Sequence, residues 1–306
     1  GDHRDLHRLI RRQRQMCIRD RVKNLDADLK KCFDLIGGIN KFVKEGSVVF
    51  IKPNLTAGAP STSGGTTDVK LVESLIKLIQ ICKPQKIIIG EGAGTGADTN
   101  VAFAQLGYVE MAKQTGVELL NCDQDEYVEV KIKKYLYKEK VKVARILLES
   151  DVFVSVPVLK THSDCGISVS LKNSFGLIPD NDKIQVHRDA RLEETIVDIN
   201  SIRAPDLIVV DGIVGGEGMA GGNDFSHPIR RDLIVVGFDP VAVDTVCVRL
   251  MKQNPRIRYI RWAEKKDIGI ANLDYIQVKG LSLEEEAYPF LTPETQIVQN
   301  IDNLTP

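Results

Sequence analysis

The sequence predicts an α/β fold, a mostly parallel sheet between helical layers in a single domain with one small β excursion. Three observations carry this. Ser47-Val-Val-Phe-Ile51, Lys86-Ile-Ile-Ile89, Asp151-Val-Phe-Val-Ser-Val156, Leu207-Ile-Val-Val210 and Leu233-Ile-Val-Val236 are apolar or β-branched almost throughout, as strands covered on both faces are. Amphipathic helical segments alternate with them, the pattern of βαβ units. A chain of 306 residues buries about three quarters of its unfolded surface, enough for one large core.

Leu25 to Ile36 has helical periodicity and stops at Gly37-Gly38, which favours a left-handed cap. Asp68 caps a helix running to Cys82 whose Val69, Val72, Leu75, Ile76 and Ile79 share a face. Val101 to Gly107 and Val109 to Gly116 read as short helices, Val117 to Leu120 as a strand and Val141 to Leu148 as a helix. The charged, alternating stretch from Asn121 to Lys140 reads as a hairpin. Leu192 to Ile202, Val241 to Met251 and Ile257 to Lys265 are the remaining helices, and Tyr275 to Val278 a last strand. The domain is expected over 22–280, with 281–306 a weakly patterned C-terminal tail. Residues 1–21 hold seven arginines and little apolar periodicity, and Met16-Cys-Ile-Arg-Asp-Arg21 resembles translated sequencing adaptor. That segment is therefore expected to be non-native or disordered and to pack poorly.

Composition excludes several function classes. A net charge of -1 gives no global attraction to nucleic acid or to an anionic membrane, and neither is expected as a partner. No apolar run approaches the roughly 20 residues of a membrane span. The six cysteines are scattered without a Cys-x-x-Cys pair, which predicts reduced thiols and a cytoplasmic location.

The chemistry gathers where strands end. Open parallel sheets bind ligands outside the carboxyl ends of their strands. Lys52 and Asn54 follow the first strand, Gly90-Glu-Gly-Ala-Gly94 the next, and Lys160 and His162 the central one. Asp211 and Asp239 end the last two. Lys172 and Asn173 lie shortly beyond His162. Two lysines, an imidazole and an amide have little place in a core, but they suit an anionic ligand. Clustered ammonium groups depress each other's basicity, which makes Lys160 or His162 the expected acid/base catalyst. Gly64-Gly-Thr66-Thr67 precedes a helix and offers N–H groups to an anion, without the Gly-x-x-x-x-Gly-Lys pattern of a nucleotide P-loop. His187 and Arg188, in the polar segment after Ile178-Pro179, read equally as a lid over the site and as a solvated loop. Asp211, Glu217 and Asp244 are oxygen donors suited to Mg²⁺ or Mn²⁺. Asp239 is equally placed to cap the helix after it. Gly212 to Gly222, with six glycines, reads as a loop that brings backbone close to something.

The strings Val49-Phe-Ile-Lys-Pro-Asn-Leu55, Val156-Pro-Val-Leu-Lys-Thr-His162, Ser170-Leu-Lys-Asn-Ser-Phe-Gly-Leu-Ile178, Val209-Val-Asp-Gly-Ile213 and Asp239-Pro-Val-Ala-Val-Asp244 together resemble the family called domain of unknown function 362. The resemblance runs from about Leu25 to Gly280. It implies no activity, since the family is named for lacking one. Many relatives carry a four-cysteine iron–sulfur run; this chain has none, so no cluster is expected. Relatives also commonly open with a strand before the helix matching Leu25 to Ile36, where this chain has the adaptor-like segment.

The leading expectation is an enzyme acting on a small phosphate- or carboxylate-bearing molecule. Its rivals are an accessory binding protein of a redox or cofactor-assembly system, suggested by the cluster-bearing relatives, and a protein-interaction scaffold. A scaffold has no need of buried lysines.

Overall fold

The computed structural model describes residues 14–19, 24–56, 58–222 and 224–302. Its first half comprises β1 (Arg14–Arg19), α1 (Leu25–Ile36), β2 (Val48–Pro53), α2 (Val69–Gln80), β3 (Lys86–Glu91), α3 (Thr99–Gln105), α4 (Tyr108–Thr115) and β4 (Glu118–Asn121). Then come β5 (Tyr127–Lys131), β6 (Lys140–Ala144), α5 (Arg145–Glu149), β7 (Val152–Val156), β8 (Val158–His162), β9 (Gly166–Ser168), α6 (Ser170–Asn173) and α7 (Asp180–Arg188). The chain continues through α8 (Leu192–Ile202), β10 (Leu207–Gly216), β11 (Pro228–Gly237), α9 (Pro240–Leu250), α10 (Arg258–Lys265), β12 (Ile276–Gly280), α11 (Leu283–Glu286) and α12 (Pro293–Asp302).

The main sheet runs β12-β1-β11-β10-β7-β2-β3-β4, with β8 and β9 attached beside β10. It is mostly parallel: β2 pairs in parallel with β7 and β3, β7 with β10, and β1 with β12. Alternate residues feed two cores. Phe50 and Phe153 stack at 5.3 Å in one, while Val49 and Ile51 enter the other with α1 and α2. Each fully buried side chain of this size stabilises by about 1.5–3 kcal/mol. Lys52 shares the parity of Phe50, so β2 itself aims the lysine at the face where α6 lies.

Local chemistry sets the helix ends. Asn24 accepts from the backbone N–H of Ala27 to open α1, and Gly37, at φ +106°, closes it. Asp68 accepts from the N–H of Lys70 to open α2.

Four expectations are corrected. Arg14–Arg19 is a strand, antiparallel to β11 and parallel to β12, with Met16, Cys17 and Ile18 buried. The three-residue apolar run was enough to fill a slot between two strands; residues 1–13 and 20–21 lie outside the described residues. Residues 140–144 are β6, paired antiparallel with β5, and only the short α5 follows, because Lys140-Val-Lys-Val alternates with period two. Gly212, Gly215 and Gly216 lie within β10, and the loop begins only after them. The tail is docked: Phe290 is buried, Leu291 donates its N–H to Glu217, and buried Gln296 bonds the N–H of Met219.

Candidate functional site

A cavity of about 400 Å³ opens at the carboxyl ends of β2, β3 and β8, walled by α6 and α7. Lys52, Asn54, His162, Lys172, Asn173 and His187 all line it. Lys160 lies just behind, donating to Asn54 Oδ1 at 2.8 Å, Thr56 Oγ1 at 3.2 Å and the Gly65 carbonyl at 2.8 Å. The lysines therefore share one edge of the sheet.

Their electrical states differ. Lys52 Nζ is buried against Glu91 Oε1 at 2.5 Å, and Glu91 also accepts the N–H of Leu55 and of Gly92. This is a closed pair inside the wall. Gly176 is packed so tightly on it that a Cβ would stand 2.6 Å from Glu91 Oε1 and 2.9 Å from Lys52 Nζ. Lys183 from α7 is likewise buried, bonding the carbonyls of Gly92 and Ala93 and Asp123 Oδ1 at 3.1 Å. Lys160 meets no carboxylate among the described residues. Burial, followed by the repulsion of Lys172, lowers its pKa to about 7. Lys172 makes neither hydrogen bond nor ion pair with any described residue; its Nζ lies 4.3 Å from the centre of the Phe175 ring. Burial lowers its pKa too.

Asn173 connects the walls, donating to the Lys52 carbonyl at 3.1 Å and Ser155 Oγ at 2.9 Å. Its Oδ1 lies 3.4 Å from Lys52 Nζ. His162 is buried, and its Nδ1 accepts the N–H of Asp164 at 3.0 Å. In the neutral ring that bond leaves the proton on Nε2. Burial, Lys172 and Lys160 hold its pKa well below the usual histidine value, so the imidazole is neutral at physiological pH. The expectation of a proton shuttle near neutrality is thus replaced by a neutral donor. The glycine-rich loop explains itself here: a Cβ on Gly221 would lie 2.3 Å from His162 Cδ2, so only glycine lets the backbone cover the ring.

Several predicted residues have other work. Thr66 Oγ1 donates to the Ala59 carbonyl and Thr67 Oγ1 to the Val156 carbonyl, and neither lines the cavity. The N-terminus of α2, read as an anion site, is already served by Asp211, which accepts the N–H of Asp68 at 2.8 Å. Asp211 also accepts the N–H of Ile213, while burial raises its pKa to about 7. Glu217 accepts the N–H of Leu291. Asp244 takes the N–H groups of Ser170 and Leu171, capping α6 and so holding Lys172 and Asn173 in place; burial raises its pKa to about 8. These three carboxylates do not converge, and no group of three metal-capable side chains occurs among the described residues. They do not fit a divalent metal. Asp239 lies on the opposite edge because β11 is antiparallel, and it caps α9. Arg188 is exposed and away from the cavity. Cys165 is buried, its thiol pushed up to about 12 by burial and donating to the Ile167 carbonyl.

Sequence reasoning missed Lys183, which sits in a polar stretch with weak periodicity. It also named Glu91 only as part of Gly90-Glu-Gly-Ala-Gly94, although a glutamate at a strand end beside a lysine signals such a pair.

The fold and site define an α/β protein with a cationic cleft at its strand ends. The domain of unknown function 362 (DUF362) matches residues 49–249, and the chain belongs to that family. A thylakoid-associated protein of Synechocystis sp. is 26% identical over 244 residues, spanning 76% of this chain and 71% of the relative. The lactate racemase apoprotein of Thermoanaerobacterium thermosaccharolyticum aligns with a TM-score of 0.46 at 14% identity, and a protein of Thermotoga maritima with 0.43 at 14%. Each alignment covers 79% of this chain but 58% of the other, so the chain spans little over half the length of those structures. No helix among the described residues is long and apolar enough to cross a membrane.

Proposed function

We propose that the cleft binds a small carboxylate- or phosphate-bearing molecule and that the protein is an enzyme acting on it. The observation that carries the reading is Lys172, a cavity-lining cation that makes no hydrogen bond or ion pair with any described residue. An unpaired ammonium in a half-buried site is costly until an anion neutralises it.

The roles follow from the geometry. Lys172 contacts the anion directly. His162 offers Nε2–H as a neutral donor, suited to an oxygen on which charge develops. Lys160, with a pKa of about 7, adds positive potential from behind when protonated, its donors spent on Asn54, Thr56 and Gly65. The paired Lys52–Glu91 and Lys183–Asp123 fix the walls. Burial lowers the basicity of Lys172. No metal step belongs to this scheme.

A thermal-stability screen across carboxylated and phosphorylated metabolites tests the reading. At least one class should raise the melting temperature of the wild type and leave that of Lys172→Met unmoved. Turnover of the best ligand separates an enzyme from an accessory binding protein, which would hold the same ligand unchanged. If no anion of either class stabilises the wild type, the reading fails.

A further inference from the structure

We infer that the loop between β5 and β6 is a docking surface for an anionic membrane. The near-zero net charge averages over a local excess: residues 127–142 contain six lysines and two glutamates. Beside this loop, a groove of about 550 Å³ is lined by Lys131, Lys133, Lys134, Lys265 and Lys266 against a single carboxylate, Asp267. Lys133, Lys134 and Lys265 have no ion-pair partner among the described residues and are exposed. At the tip, Tyr135 and Leu136 are 49% and 40% exposed.

A solvated charge run would leave its tip polar and loose. This tip is held. The fully buried Asp198 accepts the backbone N–H of Leu136 at 2.8 Å, Tyr137 at 2.9 Å and Lys138 at 3.4 Å. Lys266 bridges Asp198 and the Lys134 carbonyl. A buried carboxylate taking three loop N–H groups fixes the backbone that displays an aromatic and an aliphatic side chain to solvent. An exposed apolar pair flanked in sequence by Lys133, Lys134 and Lys138 matches an interfacial membrane contact: the pair enters the headgroup boundary, and the long stems keep their charges at the phosphates. An acidic protein or a nucleic acid would use the lysines but gain less from an exposed leucine. The loop also bonds Gln185 of α7 through Lys138, and Asp189 just past its C-terminus through Tyr137, joining this surface to one wall of the cleft.

Co-sedimentation of the full chain with vesicles tests this, comparing pure phosphatidylcholine with a mixture rich in phosphatidylglycerol. Binding should be confined to the anionic vesicles. It should collapse as salt rises from about 0.1 to 1 M, which shortens the screening length from about 10 to 3 Å. Each lysine near such a surface is worth about a factor of five in partitioning. Charge reversal by Lys133→Glu, Lys134→Glu and Lys265→Glu together should therefore cut binding about a hundredfold or more. Tyr135→Ser with Leu136→Ser should weaken it about tenfold while leaving the melting temperature in place. Equal binding to both vesicle types overturns the proposal, as does full binding by the charge-reversed variant. Binding to soluble polyglutamate or RNA that matches the vesicle affinity, with the Tyr135/Leu136 variant unaffected, overturns it in favour of a macromolecular polyanion. Anion binding in the cleft is measured without vesicles, so the two readings stand or fall separately.

Discussion

Lys160→Met is the perturbation whose size the structure fixes best. The ammonium is buried, with three oxygen acceptors and no carboxylate among the described residues, and its pKa falls from 10.5 to about 7. Below about pH 7 the lysine is protonated in both folded and unfolded chains, and its contribution is flat. Between there and 10.5 the unfolded chain keeps the proton that the folded chain has lost. The unfolded state then binds more protons, so stability from this group rises with pH, by up to about 1.4 kcal/mol per unit. From pH 7 to about 9.5 the gain is on the order of 3 kcal/mol. Methionine has no such term. At pH 7 the variant loses a donor to the Gly65 carbonyl, costing about 1–3 kcal/mol, but also loses a strained charge, so the two proteins should differ little. Urea unfolding by circular dichroism across this range gives the wild-type minus variant difference, in which Asp211, Asp244 and other titrating groups largely cancel. That difference should grow by about 3 kcal/mol in favour of the wild type. A difference flat in pH would mean that Lys160 titrates like a solvated lysine, and the cationic background of the cleft would be lost from the account.

Other outcomes follow from single contacts. Glu91→Gln leaves the Lys52 ammonium buried without its carboxylate and should cost about 3–5 kcal/mol in denaturant unfolding. Ile18→Ala should cost about 2–4 kcal/mol, since β1 closes the gap between β11 and β12; a negligible loss would show that the segment adds nothing to the sheet. Gly221→Ala drives a methyl into the His162 ring, and should weaken anion binding at least tenfold in titration calorimetry with little change in unfolding.

Side-chain periodicity made the layers legible, because a strand buried on both faces and an amphipathic helix have different repeats. Caps were legible for the same local reason, as at Asp68 and Gly37. Strand direction was not: nothing in Leu233-Ile-Val-Val236 distinguishes an antiparallel from a parallel neighbour, and Asp239 was placed on the wrong edge in consequence. Pro157 read as the end of a strand, yet it only divides β7 from β8, which both pair with β10. Carboxylates misled in a regular way. Asp211, Glu217 and Asp244 are of the type that binds metals, but a buried carboxylate serves backbone N–H groups equally well, and only the fold reveals which. The cluster of Lys52, Lys160, Lys172 and Asn173 was visible because buried cations are expensive. Which lysine stays unpaired was not, since the pairing depends on Glu91 and Asp123 arriving from other strands and loops.

Calorimetric titration of wild type, Lys172→Met and Lys160→Met with the best anion from the screen addresses the cleft most directly. Lys172→Met should fold with unchanged stability and lose binding by a factor of a hundred or more, the worth of a buried charge-assisted contact of about 3 kcal/mol. Lys160→Met should weaken binding less, because Lys160 acts from behind Asn54 and Thr56. If Lys172→Met binds the anion as the wild type does, the unpaired ammonium is not the anion's partner and the proposed function is wrong.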